Sequence, residues 1–164
     1  MSRRRKRTDV PGPEFHIQVT LPVPVDFAYR WCTDFQPTDA ALEGEEYQRR
    51  ILSRTARRVV FEDLGETPVG WDWARYEVDL QPPDGWHMQR TGNHAHIVGD
   101  YRLTALGRQR TRFDLWWRRQ PALVEYFRMS KNARERGTAM AWKRFARAMG
   151  KDYRRPSRGR KARR

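Results

Sequence analysis

From Tyr47 to Arg119 the chain reads as short runs of β-branched and aromatic residues, cut at regular intervals by Gly, Pro, Asp and Asn. No other feature restricts the fold as much. Six strands are predicted, at 48–54, 57–63, 73–81, 86–91, 95–106 and 110–119. The breaks have local causes: Pro-Pro-Asp-Gly at 82–85 and Thr-Gly-Asn-His at 91–94 are turn sequences, and Leu-Gly-Arg-Gln-Arg at 106–110 is a hairpin loop. The stretch 65–73 is read as another hairpin loop, with Trp71 or Trp73 over a cavity mouth, because it lacks the Lys and the spacing of a phosphate cradle. Strands joined by such short connections pair antiparallel with their sequence neighbours.

Ahead of this block, Phe15, Ile17, Val19 and Leu21 alternate with His16, Gln18 and Thr20, the period of a half-buried strand that stops at Pro22. Pro24 suits a first helical turn, and Val25, Ala28, Tyr29 and Cys32 follow at helical spacing, predicting a short helix that ends near Asp34. A second short helix is predicted at 38–44, capped by Thr38 or Asp39 and stopped by Gly44. A long helix is predicted from Pro121 to about Met149. Its stripe holds Leu123, Phe127, Ala133, Gly137, Ala141, Phe145 and Ala148, with Met140 and Met149 at the edge. Gly137 costs roughly 1 kcal/mol in a helix interior relative to Ala, so it predicts either close packing on the sheet or space kept open.

A chain of 164 residues, 38% apolar, is the size of one domain with a real core. The net charge of +14 is unevenly spread: residues 1–9 carry +4 and residues 151–164 carry +7, which leaves +3 between them. The basic ends, 1–13 and 154–164, have almost nothing to bury and are expected to be disordered around a domain at 14–153. They point to a non-specific anionic partner, either nucleic acid or a membrane surface. No apolar run approaches the length of a membrane span or a signal-peptide core, and Cys32 has no disulfide partner, so a cytoplasmic, non-transmembrane protein is expected.

Chemistry is sparse. His94, His96 and Asp100 share a strand face, but it lies opposite Ala95, Ile97 and Tyr101; they and His87 are read as surface groups, and no metal or cofactor is expected. Arg90 continues the Trp86 and Met88 face inward. It either anchors the polar head of a ligand, pairs with an internal acid, or reaches solvent at the strand end before Gly92. If Thr111, Phe113, Leu115 and Trp117 face inward, then Arg112, Asp114, Trp116 and Arg118 face out, and the adjacent tryptophans divide between the two sides. Trp116 is then a surface aromatic packed or cation–π bonded to neighbouring Arg.

The order strand, two short helices, antiparallel run and long C-terminal helix resembles the helix-grip fold of the START-related superfamily, which includes polyketide cyclase/dehydrase-like and lipid-transfer proteins. The stretch Ile-Gln-Val-Thr-Leu-Pro-Val-Pro-Val-Asp-Phe-Ala-Tyr-Arg-Trp-Cys-Thr-Asp-Phe, 17–35, is similar to that superfamily's opening strand and helix. Residues 98–119 are similar to its penultimate hairpin, and the likeness spans about 15–153. The resemblance implies an α+β fold, an antiparallel sheet of about seven strands wrapped around the long helix. It also implies a cavity between them that binds, and can transfer, a hydrophobic small molecule such as a lipid, an isoprenoid quinone or a polyketide-like aromatic. On that frame the ligand-binding residues are Tyr76, Met88, Arg90, Ile97, Tyr101, Phe113, Trp117, Met140 and Phe145. No catalytic set can be matched position by position, so a binding protein is expected before an enzyme, and only the resemblance speaks for a cyclase- or dehydratase-like activity. The alternative function is that of a basic accessory protein held to nucleic acid or an anionic membrane by its Arg-rich ends.

Overall fold

The computed structural model describes residues 10, 12–43, 46–67, 70–121 and 129–155; the basic ends expected to be disordered lie almost wholly outside them. Among the described residues, β1 (Glu14–Leu21) leads into α1 (Val25–Cys32) and α2 (Asp39–Glu43). Six strands follow: β2 (Tyr47–Arg54), β3 (Arg58–Thr67), β4 (Gly70–Gln81), β5 (Gly85–Gly92), β6 (Ala95–Ala105) and β7 (Thr111–Pro121). α3 (Lys131–Arg154) ends the described chain. The seven strands form one antiparallel sheet in the order β1-β7-β6-β5-β4-β3-β2. It is a meander whose last strand returns to pair with the first, as the short connections require. The sheet grips α3, giving the α+β helix-grip architecture.

Alternation places the core. Phe15, Ile17, Val19 and Leu21 of β1 are buried while the residues between them are exposed, and Leu21, Val59, Phe61, Val78, Leu103 and Phe113 carry the burial across the sheet. The β7 faces follow the same rule. Trp117 is buried and stacks on Phe15 at 5.2 Å between ring centroids, whereas Trp116 lies on the outer face. Its partner there is not the expected Arg but His16, parallel at 4.7 Å, because His16 and Trp116 are directly opposed across the β1–β7 pair. The outer face also buries Asp114, which accepts from Arg112 Nε at 2.9 Å and lies 3.2 Å from His16 Nε2.

Three elements differ from the sequence reading. The expected loop at 65–73 is largely strand: β3 runs on to Thr67 and β4 starts at Gly70, with Glu66 opposite Trp71. Pro121 ends β7 opposite Ala95 instead of starting a helix. The described helix begins ten residues later, where the Ser130 hydroxyl accepts from the Ala133 N–H at 3.2 Å, and Leu123 and Phe127 lie outside the described residues. The face α3 turns to the core holds Ala139, Trp142, Ala146 and Met149. Gly137 consequently looks into open space: among the described residues a Cβ built there meets nothing within 4 Å, and Gly137 is not part of the cavity lining, so neither close packing on the sheet nor space kept for a ligand explains it. Gly137→Ala is expected to raise stability by about 1 kcal/mol through helix propensity, read as a higher thermal midpoint. An unchanged or lower midpoint would reveal a contact at this position that the structure lacks.

Candidate ligand cavity

Between the inner face of the sheet and α3 lies a cavity of about 290 Å³. Strand alternation and register build its floor. Phe61 of β3 lies opposite Tyr76 of β4, and the two rings stack at 4.6 Å. Trp86 of β5 lies opposite Tyr101 of β6, and they stack at 4.8 Å. Met88 continues the floor, and Ala141, Trp142 and Phe145 of α3 form the roof. Trp142 is fixed from behind by Phe113, 3.8 Å away and nearly parallel, while Phe145 meets it edge-on at 5.2 Å. The end wall comes from the α1–α2 segment: Trp31, Cys32, Phe35, Asp39 and Leu42. Phe35 holds φ 46°, a left-handed backbone that costs a bulky residue about 1–3 kcal/mol, and its ring lies 5.1 Å from that of Phe61.

One polar group in this wall stands out by its burial. Arg49 of β2 exposes only 6% of its side chain. Its Nε and one terminal nitrogen grip Asp63 at 2.8 Å each, as the direct Arg49–Asp63 opposition in the β2–β3 pair dictates. The other terminal nitrogen donates to Asp39 at 2.7 Å and to the Gln36 carbonyl at 3.4 Å, and Tyr47 Oη accepts at 3.1 Å. A guanidinium has five N–H donors, and these five acceptors match them one for one. The plane also rests 4.3 Å above the Phe61 ring. Burial works against the charged form, but the hydrogen bonds and charge of Asp63, with Tyr47 and Asp39, outweigh it and raise the Arg49 pKa above its ordinary value. At Asp39 the balance falls the other way. Burial leads, Arg49 opposes it, and the carboxyl stays above its usual range. Asp39 and Arg49 line this end of the cavity, with Asp63 behind Arg49, and Arg144 of α3 also borders the space.

The residues expected to bind ligand separate into three groups. Tyr76, Met88, Tyr101 and Phe145 line the cavity together. Phe113, Trp117 and Ile97 belong to the core behind it: Phe113 is fully buried under Trp142, Trp117 stacks on Phe15, and Ile97 packs against the core cluster. Arg90 and Met140 lie outside the cavity lining. Arg90 is held by Asp72 at 2.9 and 3.0 Å, the Tyr76 hydroxyl at 3.2 Å and the Ala95 carbonyl at 3.1 Å, so an internal acid takes the place foreseen for a ligand head. Met140 is 67% exposed, because the core-facing side of α3 is set by Trp142. Sequence reasoning missed Arg49, Asp39 and Asp63. The usable signal was Asp63 in phase with Val59 and Phe61, an acid on a core face that demands a buried cation. Among the described residues no three His, Cys, Asp or Glu side chains converge as a metal site would require; His87 lies 2.8 Å from Asp100, His96 3.2 Å from the Thr91 hydroxyl and His94 3.2 Å from the Trp71 carbonyl.

No family model matches the chain, and no curated protein matches it. Solved structures do. The chain is similar to a protein from Thermus thermophilus, with 14% identity and a TM-score of 0.68 over 84% of this chain and 97% of that one. It is similar to the Zhui aromatase/cyclase from Streptomyces sp. R1128, with 14% identity and a TM-score of 0.62 over 85% and 92%. It is also similar to a START superfamily protein from Mycobacterium smegmatis, with 13% identity and a TM-score of 0.62 over 86% and 97%. These likenesses establish the fold. Among the described residues no helix is long and apolar enough to cross a membrane.

Proposed function

For a chain with the helix-grip fold of START-related and polyketide-cyclase-like proteins, we propose that the cavity binds a compact, planar, uncharged hydrophobic molecule that carries a hydroxyl donor. One observation supports this above the others: eight aromatic side chains surround a cavity of about 290 Å³ into which the Asp39 carboxylate is set. Aromatic walls favour a flat ring system, by desolvation and by offset or edge-on ring contacts. The volume is near the lower limit of small-molecule sites, roughly 300 Å³. A polyketide-like aromatic fits that space better than the full length of a diacyl lipid or a long isoprenoid quinone.

The polar end supports the second half of the reading. Arg49 spends every donor on its own protein and offers a ligand carboxylate none; Arg144 of α3 is the other cation of the lining, set on the roof and not in the Asp39 wall. The Asp39 carboxylate, partly buried and opposed by Asp63, accepts from a hydroxyl and repels an anion. Calorimetric titration with 1-naphthol and with 1-naphthoate at neutral pH tests this. Saturable binding of one naphthol is expected, with the carboxylate weaker by at least about tenfold, a difference of about 1.4 kcal/mol. Asp39→Asn is expected to narrow that gap. Preference for naphthoate, or no binding of either probe, would reject the reading.

A further inference from the structure

α3 presents its other side to solvent, and that side is uniformly basic. Arg136, Lys143, Arg147, Lys151 and Arg154 are all exposed. At 100° per residue they fall within about 80° of one another, along about 27 Å of helix. Met140 sits in the middle of this stripe with 67% of its surface exposed. Arg110, from the β6–β7 connection, extends the stripe sideways: with Lys143 and Arg147 it borders one shallow surface depression. The two acids of α3 do not dilute it. Glu135 is taken up by the His16 N–H at 2.8 Å and by Lys131 at 3.5 Å, and Asp152 by the Trp31 indole at 3.0 Å and by Arg155 at 3.8 Å.

Like charges at helical spacing repel one another, and an extended anionic partner would relieve that repulsion along the whole row of five at once. The exposed methionine narrows the partner's chemistry. A polyphosphate such as RNA offers Met140 nothing to be buried in, whereas an anionic bilayer presents phosphates with hydrocarbon immediately behind them. From the cation stripe and the methionine within it, we propose that the outer face of α3 docks on an anionic phospholipid surface. Docking lays the helix that roofs the cavity against the bilayer. The inference rests on this face alone and stands whether or not the cavity takes a hydroxylated aromatic.

Co-sedimentation of the full chain with vesicles tests it. Phosphatidylcholine vesicles containing about one-third phosphatidylserine are expected to retain the chain at low salt, pure phosphatidylcholine vesicles are not, and ~0.5 M salt releases it. The triple variant Arg136→Glu, Lys143→Glu, Arg147→Glu is expected to lose at least about tenfold in vesicle affinity with an unchanged melting midpoint. Met140→Ser, a milder change, is expected to lower vesicle affinity severalfold while leaving retention on duplex RNA as it was. A chain with Arg158, Arg160, Lys161, Arg163 and Arg164 changed to Gln is expected to keep its sensitivity to the triple change. Absence of retention on anionic vesicles overturns the proposal. So does retention that ignores both the triple variant and Met140→Ser, and so does equal loss on RNA and vesicles for Met140→Ser. Naphthol titration reads the cavity and sedimentation reads the face, so failure of one is distinguishable from failure of the other.

Discussion

Arg49→Met is expected to destabilise the chain by about 3–5 kcal/mol, because it removes the cation bonded to both Asp39 and Asp63 and leaves two carboxylates in a site that water reaches poorly. Urea unfolding measures this as a drop in midpoint at unchanged slope. The loss is also pH-dependent, and its sign follows from linkage. Burial already holds the Asp39 carboxyl above its usual range against the pull of Arg49, so without Arg49 it takes up a proton still more readily in the folded chain than in the unfolded one, the native state holds more protons, and stability falls as pH rises. The variant is therefore expected to recover stability on acidification toward the ordinary carboxylate range, as Asp39 becomes neutral. The double variant Arg49→Met, Asp63→Leu is expected to regain part of the loss at neutral pH, since an apolar pair of similar volume avoids the desolvation that the ion pair has to offset. A single variant as stable as the wild type would mean that Arg49 is not the group that neutralises this wall.

Trp142→Ala is the second large effect, expected at about 3 kcal/mol, the lower end of the usual cost for aromatic truncation because one face of the indole borders the cavity. The side chain stacks on Phe113 at 3.8 Å and contacts Tyr101 at 6.3 Å and Phe145 at 5.2 Å, so its removal unsupports both roof and floor. Trp142→Phe keeps a ring over Phe113 and is expected to cost less than half as much. Naphthol affinity separates packing from lining: truncation enlarges the cavity and is expected to weaken binding even at temperatures where the variant is fully folded. Binding unaffected by the truncation would place the ligand elsewhere.

The sheet was legible because its signal is a period of two, repeated strand after strand and cut by turn chemistry. β7 shows how far that carries: Trp116 and Trp117 divide between faces as alternation requires. The hairpin between β3 and β4 was not legible, since Gly65 and Gly70 read as loop residues although both are paired across the ladder. The long helix was found but wrongly oriented. Ala133, Gly137, Ala141 and Ala148 make an apolar stripe too weak to decide its facing, and the one side chain large enough to do so, Trp142, turns the helix by roughly a third of a turn. This is why Met140 emerges on the basic face and not in the cavity. Among site residues, alternation placed Tyr76, Met88, Ile97, Tyr101, Phe113 and Trp117 on the inner face, but it does not separate lining from core: Tyr76, Met88 and Tyr101 line the cavity and the other three pack behind it. Arg49 was unreadable for a different reason. In a chain rich in arginine a cation in an edge strand looks like a solvated one, and only the register that sets it opposite Asp63 reveals it as buried.

Native mass spectrometry of the chain with 1-naphthol, beside the variant Ala141→Trp, tests the central claim most directly. Ala141 lines the cavity without joining the core cluster, so a tryptophan there fills the space while the sheet and the buried side of α3 stay as they are. A one-to-one adduct on the wild-type chain that disappears in Ala141→Trp is the predicted result. An adduct of equal strength on both proteins, or none on either, would contradict a ligand site between the sheet and α3.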